Sequence, residues 1–267
     1  MPFDSARLRT RRLRDHLVDD GIRLLARTGR WVEPELLGLR GLIAPGDVCL
    51  DVGAALGLYT AEFSRLAGPT GRVHSVEPLP FAHALPSRLL GLRDLPGTTW
   101  HRVALGARAG TSTMSVPLRR GVFVTGRSFV TDGANGLGSN DEFEDQVEFT
   151  VETDTLDGFC ARHGIDRVDF LKADVEGAEL DVLSGGEGVL EKHTPTVLLE
   201  IEARHLRRFD RSPESVVDWM ADRGYRAFVW HGSAWREVRQ ADDRFRNYLF
   251  SVREPGQRPP TVSTSFE

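Results

Sequence analysis

Several ingredients that would point to a class at once are scarce in this sequence. Cysteine occurs twice in 267 residues, at positions 49 and 160, which suggests neither a disulfide framework nor a cysteine-based zinc site. Cys49 lies in an apolar run, where a thiol behaves as a small hydrophobe. Basic charge is not in excess either: 34 Lys and Arg stand against 39 Asp and Glu, for a net charge of -5. That balance argues against nonspecific nucleic-acid binding, which needs a basic stripe to neutralise phosphates. Lysine is confined to Lys172 and Lys192, a compositional bias with no mechanistic weight. No apolar run is long enough to span a membrane, and the N-terminal arginines Arg7, Arg9, Arg11, Arg12, Arg14, Arg23 and Arg27 are followed by no secretory apolar core. The expectation is a cytoplasmic protein with no membrane or nucleic-acid partner, its oligomeric state open.

What is present is a rhythm. With 40% hydrophobic residues the chain suffices for one large α/β domain. Strands are predicted at 48 to 52, 72 to 77 and 98 to 105, with helices at 58 to 67 and 79 to 92 between them, which is the alternation of a doubly wound, mostly parallel sheet. From 107 to 153 the rhythm changes: strands near 113 to 118 and 146 to 153 bracket a Gly-rich polar loop, read as an inserted hairpin. At 119 to 145 that loop is too long for a connection, and is expected to be a functional lid or a poorly ordered segment. Alternation resumes with a helix at 155 to 163, a strand at 168 to 174, a helix at 177 to 191 and a strand at 196 to 202. Ser212 followed by Pro213 and Glu214 starts another helix. Three closing strands follow, the last two expected to be antiparallel. Residues 1 to 30 are predicted as an N-terminal helical extension, 31 to 253 as the main domain and 254 to 267 as a disordered tail.

The stretch VCLDVGAALGLYT, Val48 to Thr60, reads as an apolar strand ending in Asp51 and turning through Gly53 and Gly57 into a helix, the usual way to build a crevice at a strand's carboxyl end. Aligned from Gly53, the later glycines of the dinucleotide fingerprint are replaced by Ala55 and Leu58, which disfavours a pyrophosphate. The Gly-Lys-Ser/Thr ending of a phosphate-cradling loop is also absent. A nucleoside without phosphates suits the turn better. Glu77, closing the second strand, supplies a carboxylate to accept hydrogen bonds from both ribose hydroxyls.

The segments DVGAALGLYT, RVHSVEP, VALG, VETDTLDGF and VDFLKADVEGAELDVLSGGEGVL, followed by PTVLLEIE, resemble the class I methyltransferases and, more closely, the FkbM family among them. The likeness covers roughly residues 31 to 202, and its strength lies in the order and spacing of the pieces. One departure is Ala55, where the family commonly has Asn. The resemblance implies a seven-stranded sheet and S-adenosylmethionine as cofactor. Carried over, it places Gly53 with its neighbours Ala54, Leu56, Gly57, Tyr59 and Thr60 against the methionine moiety, Glu77 and Pro78 at the ribose, Val103 and Ala104 beside the adenine, and Asp174 at the methionine amino group or the transferring methyl. Asp51, Asp174 and Glu176 offer favourable charge to a ligand carrying an ammonium and a sulfonium.

Methyl transfer to an alcohol needs near-attack geometry and an acceptor for the hydroxyl proton. The candidates are Asp174, Glu200 and His205. Phe170, Lys172 and Asp174 share one side of their strand by its period of two, so Lys172 pairs with Asp174 and lowers its basicity, favouring a positioning role. The carboxylates at 174, 176, 200 and 202 are of a kind that suits Mg²⁺, but the sequence has no dedicated metal spacing and no metal is predicted. The expected function is O-methyl transfer to a hydroxyl of a sugar or polyketide-type natural product. The rival readings are a non-catalytic S-adenosylmethionine-binding module and an NAD-dependent oxidoreductase, the latter disfavoured by the missing glycines.

Overall fold

The computed structural model describes residues 33–80, 95–143 and 145–257. The helix predicted at 4 to 28, most of the segment 79 to 92 and the tail from 258 onward lie outside the described residues. Among the described residues there are thirteen strands: β1 (Val48–Val52), β2 (Arg72–Val76), β3 (Thr98–His101), β4 (Ala104–Leu105), β5 (Gly110–Arg119), β6 (Val122–Phe123), β7 (Phe129–Val130), β8 (Asp145–Asp154), β9 (Phe170–Ala173), β10 (Thr196–Glu200), β11 (Arg226–Trp230), β12 (Trp235–Val238) and β13 (Asn247–Ser251). The α-helices are α1 (Leu58–Ala67), α2 (Leu156–Arg162), α3 (Glu179–Ser184), α4 (Glu187–His193), α5 (Ala203–Leu206) and α6 (Pro213–Ala221), preceded by a 3₁₀ helix at Pro34–Gly41.

The main sheet has eight strands in the order β12-β11-β13-β10-β9-β1-β2-β3, one more than the seven expected. β10, β9, β1, β2 and β3 pair in parallel, while β13 runs antiparallel between β10 and β11. β12 is the additional strand, antiparallel on β11. The last two strands are thus both antiparallel to their neighbours, as expected, and they flank β11. Burial explains the order: β13 is buried along its whole length and belongs inside the sheet, whereas β12, with Arg236 and Glu237 exposed, is suited to an edge.

Alternating side chains on the parallel strands feed two apolar layers. Leu50, Val52, Leu171, Val197 and Leu199 pack with residues of α2, α3, α4 and α6. Cys49, Phe170, Leu198 and Leu249 face the other way, against Leu36, Leu39, Tyr59 and Phe63. Both cysteines are buried and free.

The stretch 98 to 105, expected as one strand, divides. β3 stays in the main sheet, while β4 crosses to a second, five-stranded sheet of β4, β8, β5, β6 and β7, so the insertion is larger than a hairpin. The helix expected at 177 to 191 also divides, at Gly185 and Gly186. A Cβ on Gly185 would lie 2.2 Å from the Gly106 carbonyl oxygen, so the α3–α4 corner packs directly on the backbone that follows β4. Ser212 caps α6 with a reciprocal bond to Ser215, as its sequence indicated. No helix among the described residues is long and apolar enough to cross a membrane.

Candidate active site

The carboxyl ends of β1, β2 and β9 open into a cavity of about 660 Å³, walled on its far side by the second sheet. The β1–α1 turn forms its floor. Gly53 and Ala54 both donate backbone hydrogen bonds to the Val76 carbonyl, at 3.0 and 3.1 Å. Gly53 has φ +74°, and an added Cβ would fall 1.8 Å from the Asp174 carbonyl oxygen. Glu77, 5% exposed, ties the turn from the next strand: Oε2 accepts from the Ala55 N–H at 3.1 Å and Oε1 from the Leu79 N–H at 3.0 Å. Each oxygen keeps lone-pair capacity toward the cavity. Burial pushes the Glu77 carboxyl up to about 7, against the pull of those two amides.

Ala55 adopts φ 44°, a left-handed conformation that costs a residue with a Cβ about 1–2 kcal/mol and that Asn and Gly accept most readily. The Asn common in the FkbM family at this place is thereby explained by backbone geometry. Ala55→Asn or Ala55→Gly should raise stability by about 1 kcal/mol, a gain of roughly 2–4 °C in melting temperature for a domain of this size. Equal or lower melting temperatures for both variants would show the turn to be unstrained.

Beneath the wall lies a charged layer on one face of the sheet. Asp51 is fully buried and its Oδ2 accepts from Thr60 Oγ1 at 2.5 Å. Burial raises its pKa, opposed by Lys172 and by the Thr60 bond. Lys172, paired with Asp51 across β1 and β9, donates to Asp174 Oδ2 at 3.0 Å and lies 4.5 Å over the Tyr59 ring. Burial disfavours its charge, but Asp174 and Asp51 more than offset that and hold its pKa above the ordinary lysine range. The Tyr59 hydroxyl donates to Glu33 at 2.5 Å.

Asp174 and Glu176 form the acidic part of the wall. Burial opposes ionisation of Asp174, yet Lys172 and a hydrogen bond with Glu200 keep its pKa below the usual value. Glu176 behaves in the opposite way, its pKa raised well above normal by burial and by the Asp174 charge. Glu200, behind Asp174, is raised for the same two reasons. His205 is 2% exposed, with Nε2 3.2 Å from Glu176 Oε2 and Nδ1 3.7 Å from Glu200 Oε2. Burial lowers its pKa to about 4, so the ring is neutral at physiological pH.

Of the cofactor-binding positions expected from the sequence, Gly53, Glu77, Pro78, Val103, Ala104, Asp174 and Glu176 line the cavity. Asp51, Ala54, Leu56, Gly57, Tyr59 and Thr60 are not among the residues that line it. Asp51, Tyr59 and Thr60 are turned into the charged layer beneath, and Leu56 is 46% exposed on the turn. Of the expected catalytic residues only Asp174 reaches the wall, with Glu200 and His205 one layer behind.

The second sheet contributes residues that sequence reading missed, Met114, Ser128, Phe129 and Val130 among them, together with Phe209 from the segment after α5. The 119 to 145 loop packs as a wall. Arg208 is its anchor: the guanidinium lies 3.6 Å over the Phe129 ring, Nη1 donates to the Glu176 carbonyl at 3.0 Å, and its own carbonyl accepts from the Asn135 N–H at 2.6 Å. Asn140, fully buried, donates from Nδ2 to the Arg127 carbonyl at 2.7 Å. Phe129, an aromatic within a polar stretch, was the one signal available for this contact.

A cavity at the carboxyl ends of the strands, floored by a tight turn and bounded by a carboxylate closing β2, is where a doubly wound α/β sheet binds its ligand. Residues 51–227 match the model of the methyltransferase FkbM domain, and the chain belongs to that family. It is 31% identical over 165 residues to "Methyltransferase sdnD" of Sordaria araneosa, covering 54% of this chain and 61% of that protein. A shorter match, 44% over 43 residues and 18% of the relative's length, is to "2-O-methyltransferase NoeI" of Sinorhizobium fredii. The chain thus spans less than two thirds of these relatives. Among solved structures it is similar to the FkbM methyltransferase of Methylobacillus flagellatus KT, at 16% identity, covering 77% of this chain and 43% of that one, with a TM-score of 0.47.

Proposed function

We propose that the chain methylates a hydroxyl oxygen of a small molecule of the sugar or polyketide type. The observation that carries this reading is the sorting of protonation at the cavity wall. Asp174 is held ionised by Lys172, while Glu176 and Glu200, with raised proton affinity, stand beside and behind it. Divergent environments for neighbouring acids are what separates an electrostatic role from a proton-accepting one. The enclosed cavity and the net charge of -5 favour a small acceptor over a polyanion, and the naming of one relative as a 2-O-methyltransferase agrees with oxygen as the target.

The residues fit S-adenosylmethionine. Glu77 offers free lone pairs on both oxygens to the ribose hydroxyls, Val103 and Ala104 flank an adenine, and the space a Cβ would fill at Gly53 keeps the turn tight against Asp174. When bound, that cofactor supplies an electrophilic methyl group on a sulfonium. Asp174 would hold the positive end of that group in register beside the acceptor hydroxyl. The hydroxyl proton would pass to Asp174, the acid of this group that is held ionised, since raised proton affinity keeps Glu176 and Glu200 protonated; such a transfer is worth about 10² to 10⁴ in rate.

Incubation with methyl-labelled cofactor and a panel of sugars and hydroxylated polyketides tests the reaction directly, the expected product being a labelled methyl ether. Label appearing on nitrogen or carbon acceptors alone would overturn the assignment. Cofactor binding has its own test. Glu77→Ala should weaken S-adenosylhomocysteine binding by roughly 100-fold or more, since two hydrogen bonds to a charged group are lost at about 1.5–3 kcal/mol each. Because both bonds need the ionised carboxylate, wild-type affinity should rise as pH increases through about 7, and calorimetry should find no such rise for Glu77→Gln. The same shift has the opposite sign for the ligand-free fold: the unfolded chain ionises Glu77 near 4.5 while the folded protein holds the proton to about 7. This group's contribution to stability therefore declines as pH rises across that window.

A further inference from the structure

The layer behind the cavity wall is more than a proton store. Glu176, Glu200 and His205 each present a ligand atom, all within 4.8 Å of one another, and all three residues are buried. Atoms bound to one ion at about 2.0–2.2 Å sit no more than about 4.4 Å apart, so the three need only small side-chain adjustments to share one. Two further observations point to an occupant. Glu176 Oε2 and His205 Nε2 are 6% and 2% exposed by residue and stand 3.2 Å apart, yet neither makes a hydrogen bond among the described residues. A proton shared between them would align the pair, and that alignment is not there. Charge points the same way: Asp51, Asp174, Glu176, Glu179, Glu200 and Glu202 interact across this region with Lys172, Arg127, Arg204 and Arg208, leaving acid in excess by two. Uncompensated buried charge of that size is expensive.

We propose that Glu176, Glu200 and His205 bind one divalent transition cation, of the Mn²⁺ or Zn²⁺ type, at the inner wall of the cavity. Two carboxylate oxygens and one neutral imidazole form a mixed set: Mg²⁺ and Ca²⁺ prefer oxygen alone, whereas Mn²⁺ and Zn²⁺ accept nitrogen with it. The sequence spacing hid this group, because its members come from the turn after β9, the end of β10 and α5. The purpose of the ion rests on the O-methyl reading: lying beside Asp174, it would bind the acceptor hydroxyl and increase its acidity, leaving Asp174 as the nearest free carboxylate.

The test uses the full chain stripped with EDTA and dialysed, titrated with Mn²⁺ and followed by loss of the free-ion electron paramagnetic resonance signal, with Zn²⁺ as competitor. One ion per chain is expected. Glu176→Gln and His205→Gln should each weaken binding by more than about 100-fold, since even outer-shell changes cost 10- to 100-fold. Glu176→Gln keeps size and shape, so it guards against misfolding of the His205 variant, while Glu202→Gln should bind as wild type. Failure of both ions to bind, or wild-type binding by Glu176→Gln, overturns the site. Methyl transfer by the stripped protein at the rate of the Mn²⁺-loaded one overturns the ion's role and leaves the O-methyl reading standing; an ion bound with no hydroxyl methylated does the reverse.

Discussion

Gly53→Ala should lower the melting temperature by roughly 8–16 °C and abolish cofactor binding. The substitution acts twice. It places a side chain at φ +74°, which costs about 1–2 kcal/mol whatever the surroundings. It also sets a Cβ 1.8 Å from the Asp174 carbonyl oxygen, and that atom is backbone. The turn cannot move away freely, since Gly53 and Ala54 are both bonded to Val76 and the Asp174 N–H donates to the Val52 carbonyl at 3.0 Å. The strain is therefore shared by β1, β2 and the end of β9, for a total of about 4 kcal/mol, within the range of severe single substitutions. Gly121→Ala isolates the steric part: it has nearly the same φ, +76°, but nothing within 4 Å of the added Cβ. Differential scanning calorimetry on the two variants should give a loss several-fold greater for Gly53. Equal losses would mean that the β1–β9 contact is not tight.

The second large effect runs in two directions at once. Glu176→Gln should raise the stability of the metal-free protein at pH 8, while cutting kcat by roughly 10- to 100-fold through loss of the ion it is proposed to hold. Burial and the neighbouring Asp174 charge hold the Glu176 pKa well above normal despite Arg127 at 3.8 Å. The unfolded chain releases this proton near 4.5 and the folded protein holds it far longer, so ionisable Glu176 costs stability as pH rises above 4.5. A neutral amide of the same shape removes that cost, and little should change near pH 4, where both states are protonated. The pairing of a stability gain with an activity loss is the mark of a group kept for chemistry. Thermal melts at pH 4 and pH 8 beside single-turnover rates check it, and a variant that is less stable at pH 8 would refute the assignment.

Much of the fold was legible because strand and helix announce themselves by period and punctuation. The parallel strands, the Gly53 turn and the Ser212 cap of α6 were all marked by local residues. The errors fell where long-range packing decides. The 98 to 105 stretch divides between two sheets, a choice made by what β4 meets at β8. The 177 to 191 helix divides because Gly185 must touch the backbone after β4. The extra strand β12 joined an edge that its own sequence does not specify.

The site shows the same division. Motif spacing led to Glu77 and Asp174, since both close strands that end at the crevice, and period two paired Lys172 with Asp174. Which motif residues line the cavity was beyond the sequence: Asp51, Tyr59 and Thr60 lie in the charged layer beneath the wall. His205, by sequence only a candidate proton acceptor, is a neutral ring buried between two acids. By itself, then, the sequence determined the strand-end crevice, the carboxylate that closes β2 and the family, because these depend on residues close together in the chain. Only the tertiary structure decided the far wall, the protonation of each acid and the meeting of Glu176, Glu200 and His205, because burial and cross-strand distance set them and neither is written in local order.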